Sequence, residues 1–177
     1  AEPTERRKAC HRRKKMIFSI RDREMMARAL VMAAKGRFTT APNPAVGCVI
    51  SLDGNIDGEG YTKPAGGNHA EIEALNMVND PAGCSVYVTL EPCSHQGRTA
   101  PCVNALIAAD VARVVIACED PNPEVCGQGI QLLKEAGIDV ECGLLEDQAR
   151  ALNRGFIKRH EHGLPWVLVK MAASIDG

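Results

Sequence analysis

Apolar positions along the chain alternate between a helical and a strand period. Met25, Met26, Ala29, Leu30 and Ala33 recur at helical spacing. Ser19-Ile20-Arg21-Asp22 opens that run as a capping box, and Gly36 closes it. Residues 46–52 and 56–61 read as strands joined by an Asp53-Gly54 turn, which predicts a hairpin. A helix is expected over 69–79 and a strand over 85–90. Pro101-Cys102 then begins an apolar run over 102–109 that reads as a helix with proline in its first turn. Beyond it the pattern predicts a strand over 113–118, a loop over 121–129, a helix over 130–136 and a strand over 138–142. One long amphipathic helix is expected over 146–160, with Ala149, Leu152, Phe156 and Ile157 on one face. The stretch 165–171 reads as a further strand.

Strands alternating with helices imply an α/β fold in three α-β-α layers, with a mixed five-stranded sheet covered on both faces. Helices that follow strands open at the carboxyl ends of those strands, where ligands bind in open α/β sheets. At 177 residues the chain has room for one domain with a full core and a short extension.

Charge refines the division. Residues 1–15 hold seven Lys and Arg against Glu2 and Glu5, a net of +5, which leaves −6 for the remainder. An acidic body argues against a broad nucleic-acid-binding face, and the few aromatics make base-stacking platforms thin. Residues 1–15 lack any period and are expected to be a disordered leader or a cloning artefact, with Met16 a plausible native start. Among the eight cysteines, Cys48, Cys84, Cys118 and Cys142 fall in or beside strand-like runs. No secretory signal pattern precedes them, so reduced thiols and a cytoplasmic location are expected. No apolar run reaches the roughly 18–20 residues of a membrane span.

The candidate chemistry lies in His69-Ala70-Glu71 and in Pro92-Cys93 with Cys102 nine positions on. One imidazole and two thiols suit zinc and leave a fourth position open for water. Bound zinc lowers the pKa of that water to roughly 7. Glu71 is near enough to touch the water without occupying the metal. This is the layout expected of a zinc-dependent nucleobase deaminase. The competing reading is a structural zinc with a fourth protein ligand, for which His95 and Cys84 are the nearest candidates. Taken alone, Asn43 reads as a turn residue between two prolines, His95 as a solvated loop residue and Arg98 as a surface charge.

Residues 39–47 (Thr-Thr-Ala-Pro-Asn-Pro-Ala-Val-Gly), His69-Ala70-Glu71, the segment from Thr89 to Cys102, and Asp120-Pro121-Asn122-Pro123 together resemble the deaminase domain of the bifunctional riboflavin-biosynthesis deaminase/reductase family. The resemblance runs from about Asp22 to the end. It implies a cytidine-deaminase-like fold over 16–163, and it makes 164–177 the first strand of a truncated NADPH-dependent reductase domain, with Ala173 as a cofactor contact there. It implies zinc on His69, Cys93 and Cys102, Glu71 as proton shuttle, Asn43 reading the base, and His95 and Arg98 near a ribose phosphate. The implied substrate is a phosphorylated diaminopyrimidine. The implied assembly is a homo-oligomer at full length, with no nucleic-acid or membrane partner. The alternative is a tRNA adenosine or cytidine-type deaminase of the same fold. Four positions depart from the family pattern: Thr62, Gly67, Ala100 and Gln128.

Overall fold

Ser19 caps the first helix from outside: its side chain accepts the Asp22 N–H, while the Asp22 carboxylate accepts the Ser19 N–H at 2.8 Å. This computed structural model describes residues 18–95, 100–123 and 125–177, so the expected leader lies outside the described residues. The capped helix is α1 (Ile20–Gly36), which buries Met25, Met26, Ala29, Met32 and Ala33 on one face. Strands β1 (Gly47–Leu52) and β2 (Asn55–Tyr61) form the expected antiparallel hairpin. Asp53 and Gly54 both take positive φ at its turn, as a two-residue connection of that hand requires.

The remaining strands are β3 (Ser85–Val88), β4 (Arg113–Ile116) and β5 (Asp139–Cys142). The sheet order is β2-β1-β3-β4-β5, with β1 antiparallel to both neighbours and β3, β4 and β5 parallel. The expected mixed five-stranded sheet is therefore formed. Because β1 alone runs the other way, its entry and the exits of the other four strands share one edge. The segment before β1 and the segments after β2, β3 and β4 meet there.

Two glycines let helices lie directly on the hairpin. A Cβ at Gly47 would fall 2.0 Å from the Ala29 carbonyl of α1. A Cβ at Gly60 would fall 2.1 Å from the Ala70 carbonyl of α2 (Ala70–Leu75). Gly60 pairs with Cys48, the residue after Gly47, so the two helices sit on opposite faces. Helices α3 (Cys102–Ala108) and α4 (Gln128–Glu135) extend the α2 layer, while α5 (Glu146–Leu152) packs beside α1. Met26, Ile50, Leu106, Ile116, Leu133 and Leu144 are fully enclosed between these layers.

Four expectations about elements need correction. Helix α2 ends at Leu75 rather than 79, because Met77 and Val78 close tighter turns onto Ala74 and Leu75. That tightening brings Val78 onto β2 beside Gly58. Helix α4 starts two residues early, at Gln128, because the Glu91 carboxylate accepts the N–H groups of its first turn. The long helix over 146–160 is two helices, α5 and α6 (Arg154–His162), broken at Asn153. The strand expected over 165–171 is not formed. That segment is exposed, with no ladder partner among the described residues, and a strand needs one.

Candidate metal centre

His69 occupies the N-cap position of α2, in an extended conformation, and offers its ring to the sheet edge instead of capping the helix. Glu71 lies in the first turn and is buried. Cys93 follows β3 by five residues, in a segment held at its start by Glu91 N–H donating to Cys118 C=O at 2.9 Å. Cys102 is the first residue of α3, and its N–H points at Cys93 Sγ, 3.3 Å away. Oriented amides of this kind stabilise a thiolate.

The three donor atoms lie within 4.8 Å of one another. His69 Nδ1 is 3.5 Å from Cys93 Sγ and 3.3 Å from Cys102 Sγ. Zn–S of about 2.3 Å and Zn–N of about 2.0 Å at tetrahedral angles require donors about 3.6 Å apart. The donor set therefore fits zinc in both chemistry and spacing. Among the described residues neither His95 nor Cys84 joins the group.

Electrostatics agree. The Cys102 thiol donates toward Cys93, and with His69 beside it this drives the Cys93 thiol down to about 4 against its burial. Cys102, hydrogen-bonded to the Cys93 sulfur and buried, is pushed the other way, upward. The Cys93 thiolate raises the His69 pKa. Burial, with the Cys93 charge next, pushes Glu71 up to about 7. A divalent cation among these donors would favour ionisation of both thiols.

A cleft of about 470 Å³ opens over His69, Glu71 and Cys93, with Cys102 buried behind them. Asn43, His69, Glu71, Cys93 and His95 all line it, so the expected metal, acid-base and base-reading residues are brought to one place. Thr62 and Gly67, two of the four departures from the family pattern, line it too. Arg98 lies outside the described residues. Ala173 is exposed in the segment after α6, which makes no part of the cleft wall.

Four residues were given no role at the site by the sequence. Asp120 and Asn122 line the cleft from the loop after β4, and Phe156 lines it from α6 instead of packing only on the core. Glu91, nearly fully buried, accepts backbone N–H groups from Asp120 (3.1 Å), Gly127 (3.0 Å), Gly129 (2.8 Å) and Ile130 (3.2 Å). It thus ties the loop over 120–130 to the segment carrying Cys93. A carboxylate beside a proline in an apolar stretch was the signal for Glu91. The Asp-Pro-Asn turn was the signal for the loop.

A helix-capped pair of thiols and an imidazole over a buried glutamate, on this sheet, defines a zinc deaminase fold. Residues 19–118 match the cytidine and deoxycytidylate deaminase zinc-binding region, and the chain belongs to that family. It is 57% identical over 159 residues to the riboflavin biosynthesis protein RibD of Escherichia coli, covering 89% of this chain and 43% of that protein. It is 48% identical over 147 residues to the diaminohydroxyphosphoribosylamino-pyrimidine deaminase of Buchnera aphidicola subsp. Schizaphis graminum, covering 82% of this chain and 100% of that one. The Acinetobacter baumannii RibD structure superposes with a TM-score of 0.86 at 50% identity, over 89% of this chain and 44% of the other. The chain thus spans less than half the length of the two RibD relatives. Among the described residues no helix is long and apolar enough to cross a membrane.

Proposed function

We propose that this chain is the zinc-dependent deaminase of riboflavin biosynthesis. Its substrate is 2,5-diamino-6-(5-phosphoribosylamino)pyrimidin-4(3H)-one, and its products are 5-amino-6-(5-phosphoribosylamino)uracil and ammonia. The observation that carries this reading is a buried glutamate beside three clustered zinc-competent donors, two of which, His69 and Cys93, line a cleft. The full-length match to the Buchnera deaminase supports the substrate class.

Zinc held by His69, Cys93 and Cys102 would supply the Lewis acidity that makes a water nucleophilic near neutral pH. Glu71 takes the proton from that water as its oxygen bonds to the ring carbon bearing the exocyclic amine. Glu71 then gives this proton to the adjacent ring nitrogen, and carries the proton left on the added oxygen to the amine. The C–N bond breaks, ammonia leaves, and the ring carbon retains the oxygen as a carbonyl. Asn43, able both to donate and to accept, orients the pyrimidine edge. His95 and Arg98 take the phosphoribosyl end, where a guanidinium suits bidentate contact. Residues 16–163 form the deaminase unit, and 164–177 begin a reductase domain in which Ala173 contacts NADPH. The whole protein is a homo-oligomer located in the cytoplasm.

The test is ammonia release from the diaminopyrimidine phosphate by zinc-loaded protein, with Glu71→Ala beside it. Activity in the wild type alone supports the reading. Equal inertness with zinc intact in both overturns it. Tight, salt-sensitive tRNA binding would favour a nucleic-acid-editing deaminase instead.

A further inference from the structure

Asn153 joins two parts of the chain 108 residues apart: its Oδ1 accepts the Ala45 N–H at 2.8 Å, and its Nδ2 donates to the Ala45 C=O at 2.9 Å. We propose that Asn153 is a positioning residue for Asn43, so that the corner between α5 and α6 sets substrate affinity in the cleft. The identity of the substrate rests on the deaminase reading above; the mechanical link does not.

Both partners are buried, Asn153 to 6% exposure and Ala45 to 4%. A primary amide is the side chain that satisfies a peptide N–H and its C=O together, as a neighbouring strand would. No strand flanks the chain at Ala45, which lies two residues before β1. Beyond that point the sheet takes over: Val46 C=O accepts from Thr62 N–H at 3.0 Å, and Gly47 N–H donates to Thr89 Oγ1 at 3.0 Å. Before it, the Asn43 N–H bonds to Thr40 C=O at 2.9 Å within the same loop. Asn153 therefore ties the end of this loop nearest β1 to the body of the fold, as Gly36 of α1 holds its start through Thr39 and Thr40.

Pro44 stands between Asn43 and Ala45, and Pro42 on the other side, so φ is fixed at both. A stiff segment transmits the placement of Ala45 to Asn43. Phe156, one turn beyond Asn153, supplies wall to the same cleft. The helix pair thus holds the loop with one residue and borders the ligand space with another. If Asn153 merely broke the helix, its removal would lower stability and leave substrate affinity alone.

The experiment compares Asn153→Ala, the milder Asn153→Ser and, as a control in the same helix, Ile157→Val. Each is zinc-loaded and measured for zinc content, Tm, steady-state ammonia release and amide exchange at Ala45. For Asn153→Ala or Asn153→Ser the expected result is a KM raised by at least about tenfold, with kcat within about threefold and zinc unchanged. Ala45 exchange should quicken by about a hundredfold as its acceptor is lost. Ile157→Val should lower Tm with KM and Ala45 exchange unmoved. An unchanged KM in both Asn153 variants, or an equal rise in Ile157→Val, overturns the proposal. An inert wild type would sink the deaminase reading instead. In that case slow Ala45 exchange persisting in Asn153→Ser would still overturn the link.

Discussion

Glu71 and Cys102 touch each other, yet their removal should have opposite signatures. Glu71 carries protons and holds no metal in the proposed chemistry. Glu71→Gln should therefore cut turnover by about 10²–10⁴, the usual worth of a positioned acid-base group. Zinc stoichiometry, read by metal analysis, should stay at the wild-type value. Cys102→Ser removes a donor and the thiol that hydrogen-bonds Cys93. Partners outside the coordination sphere already cost about 10–100-fold in affinity, so loss of a ligand should exceed that. A competition titration with a chelator measures it, and zinc loss of the same size in Glu71→Gln would refute the division of roles. Glu91 carried only a weak signal, a carboxylate beside a proline in an apolar stretch, because glutamate is read by default as surface. Its burial becomes intelligible only when the four backbone N–H groups it satisfies come from a loop about 30–40 residues away.

Elements whose reasons are local were legible in the sequence, and elements fixed by distant partners were not. The capping box at Ser19 and the Asp53-Gly54 turn carry their own geometry, and both form as expected. The edge on which the site assembles follows from strand order alone, so the metal donors could be grouped from spacing. By contrast, the break at Asn153 depends on Ala45, and the early start of α4 depends on Glu91. A hydrophobic period sees neither. Residues 165–171 have strand composition, but composition supplies no partner strand. The close approach of α1 to β1 at Gly47 is likewise invisible in sequence and yields a sharp prediction. Gly47→Ala would place a methyl carbon 2.0 Å from the Ala29 carbonyl, where backbone must move. Such overpacking costs about 1–3 kcal/mol or more, a fall in Tm of at least about 3–10 °C for a chain of this size. A melting curve within a degree of the wild type would show that α1 lifts freely from the sheet.

Across the whole molecule, one polar network fastens α1 to the sheet. Asp22 accepts hydrogen bonds from Tyr87 of β3 at 2.9 Å and from Arg113 of β4 at 2.6 Å. Arg113 also bonds Glu141 of β5. Burial alone would raise the Asp22 pKa, but the Arg113, Ser19 and Tyr87 donors outweigh it and hold the carboxyl well below its ordinary value. A carboxyl depressed in the fold stabilises fully above its ordinary range near pH 4, and that stability is lost as pH falls below it. Asp22→Asn leaves Arg113 to Glu141 and the more distant, exposed Asp139, so the cost at neutral pH should fall below the about 3–5 kcal/mol of a fully orphaned buried charge. The difference in unfolding free energy between wild type and Asp22→Asn should then shrink steadily from about pH 5 to about pH 2. Measuring the difference cancels the titration of the zinc donors, which both proteins share. At the other end Tyr87, raised to about 12 by burial and Asp22, and Cys142, raised to about 12 by burial, favour their neutral forms. Their contribution is complete below their ordinary values and disappears as pH rises toward 12, so the wild type should weaken again in strong alkali. A stability difference that stays flat through the acid range would mean that Asp22 is no more acidic in the fold than in the open chain, and that the fastening is steric.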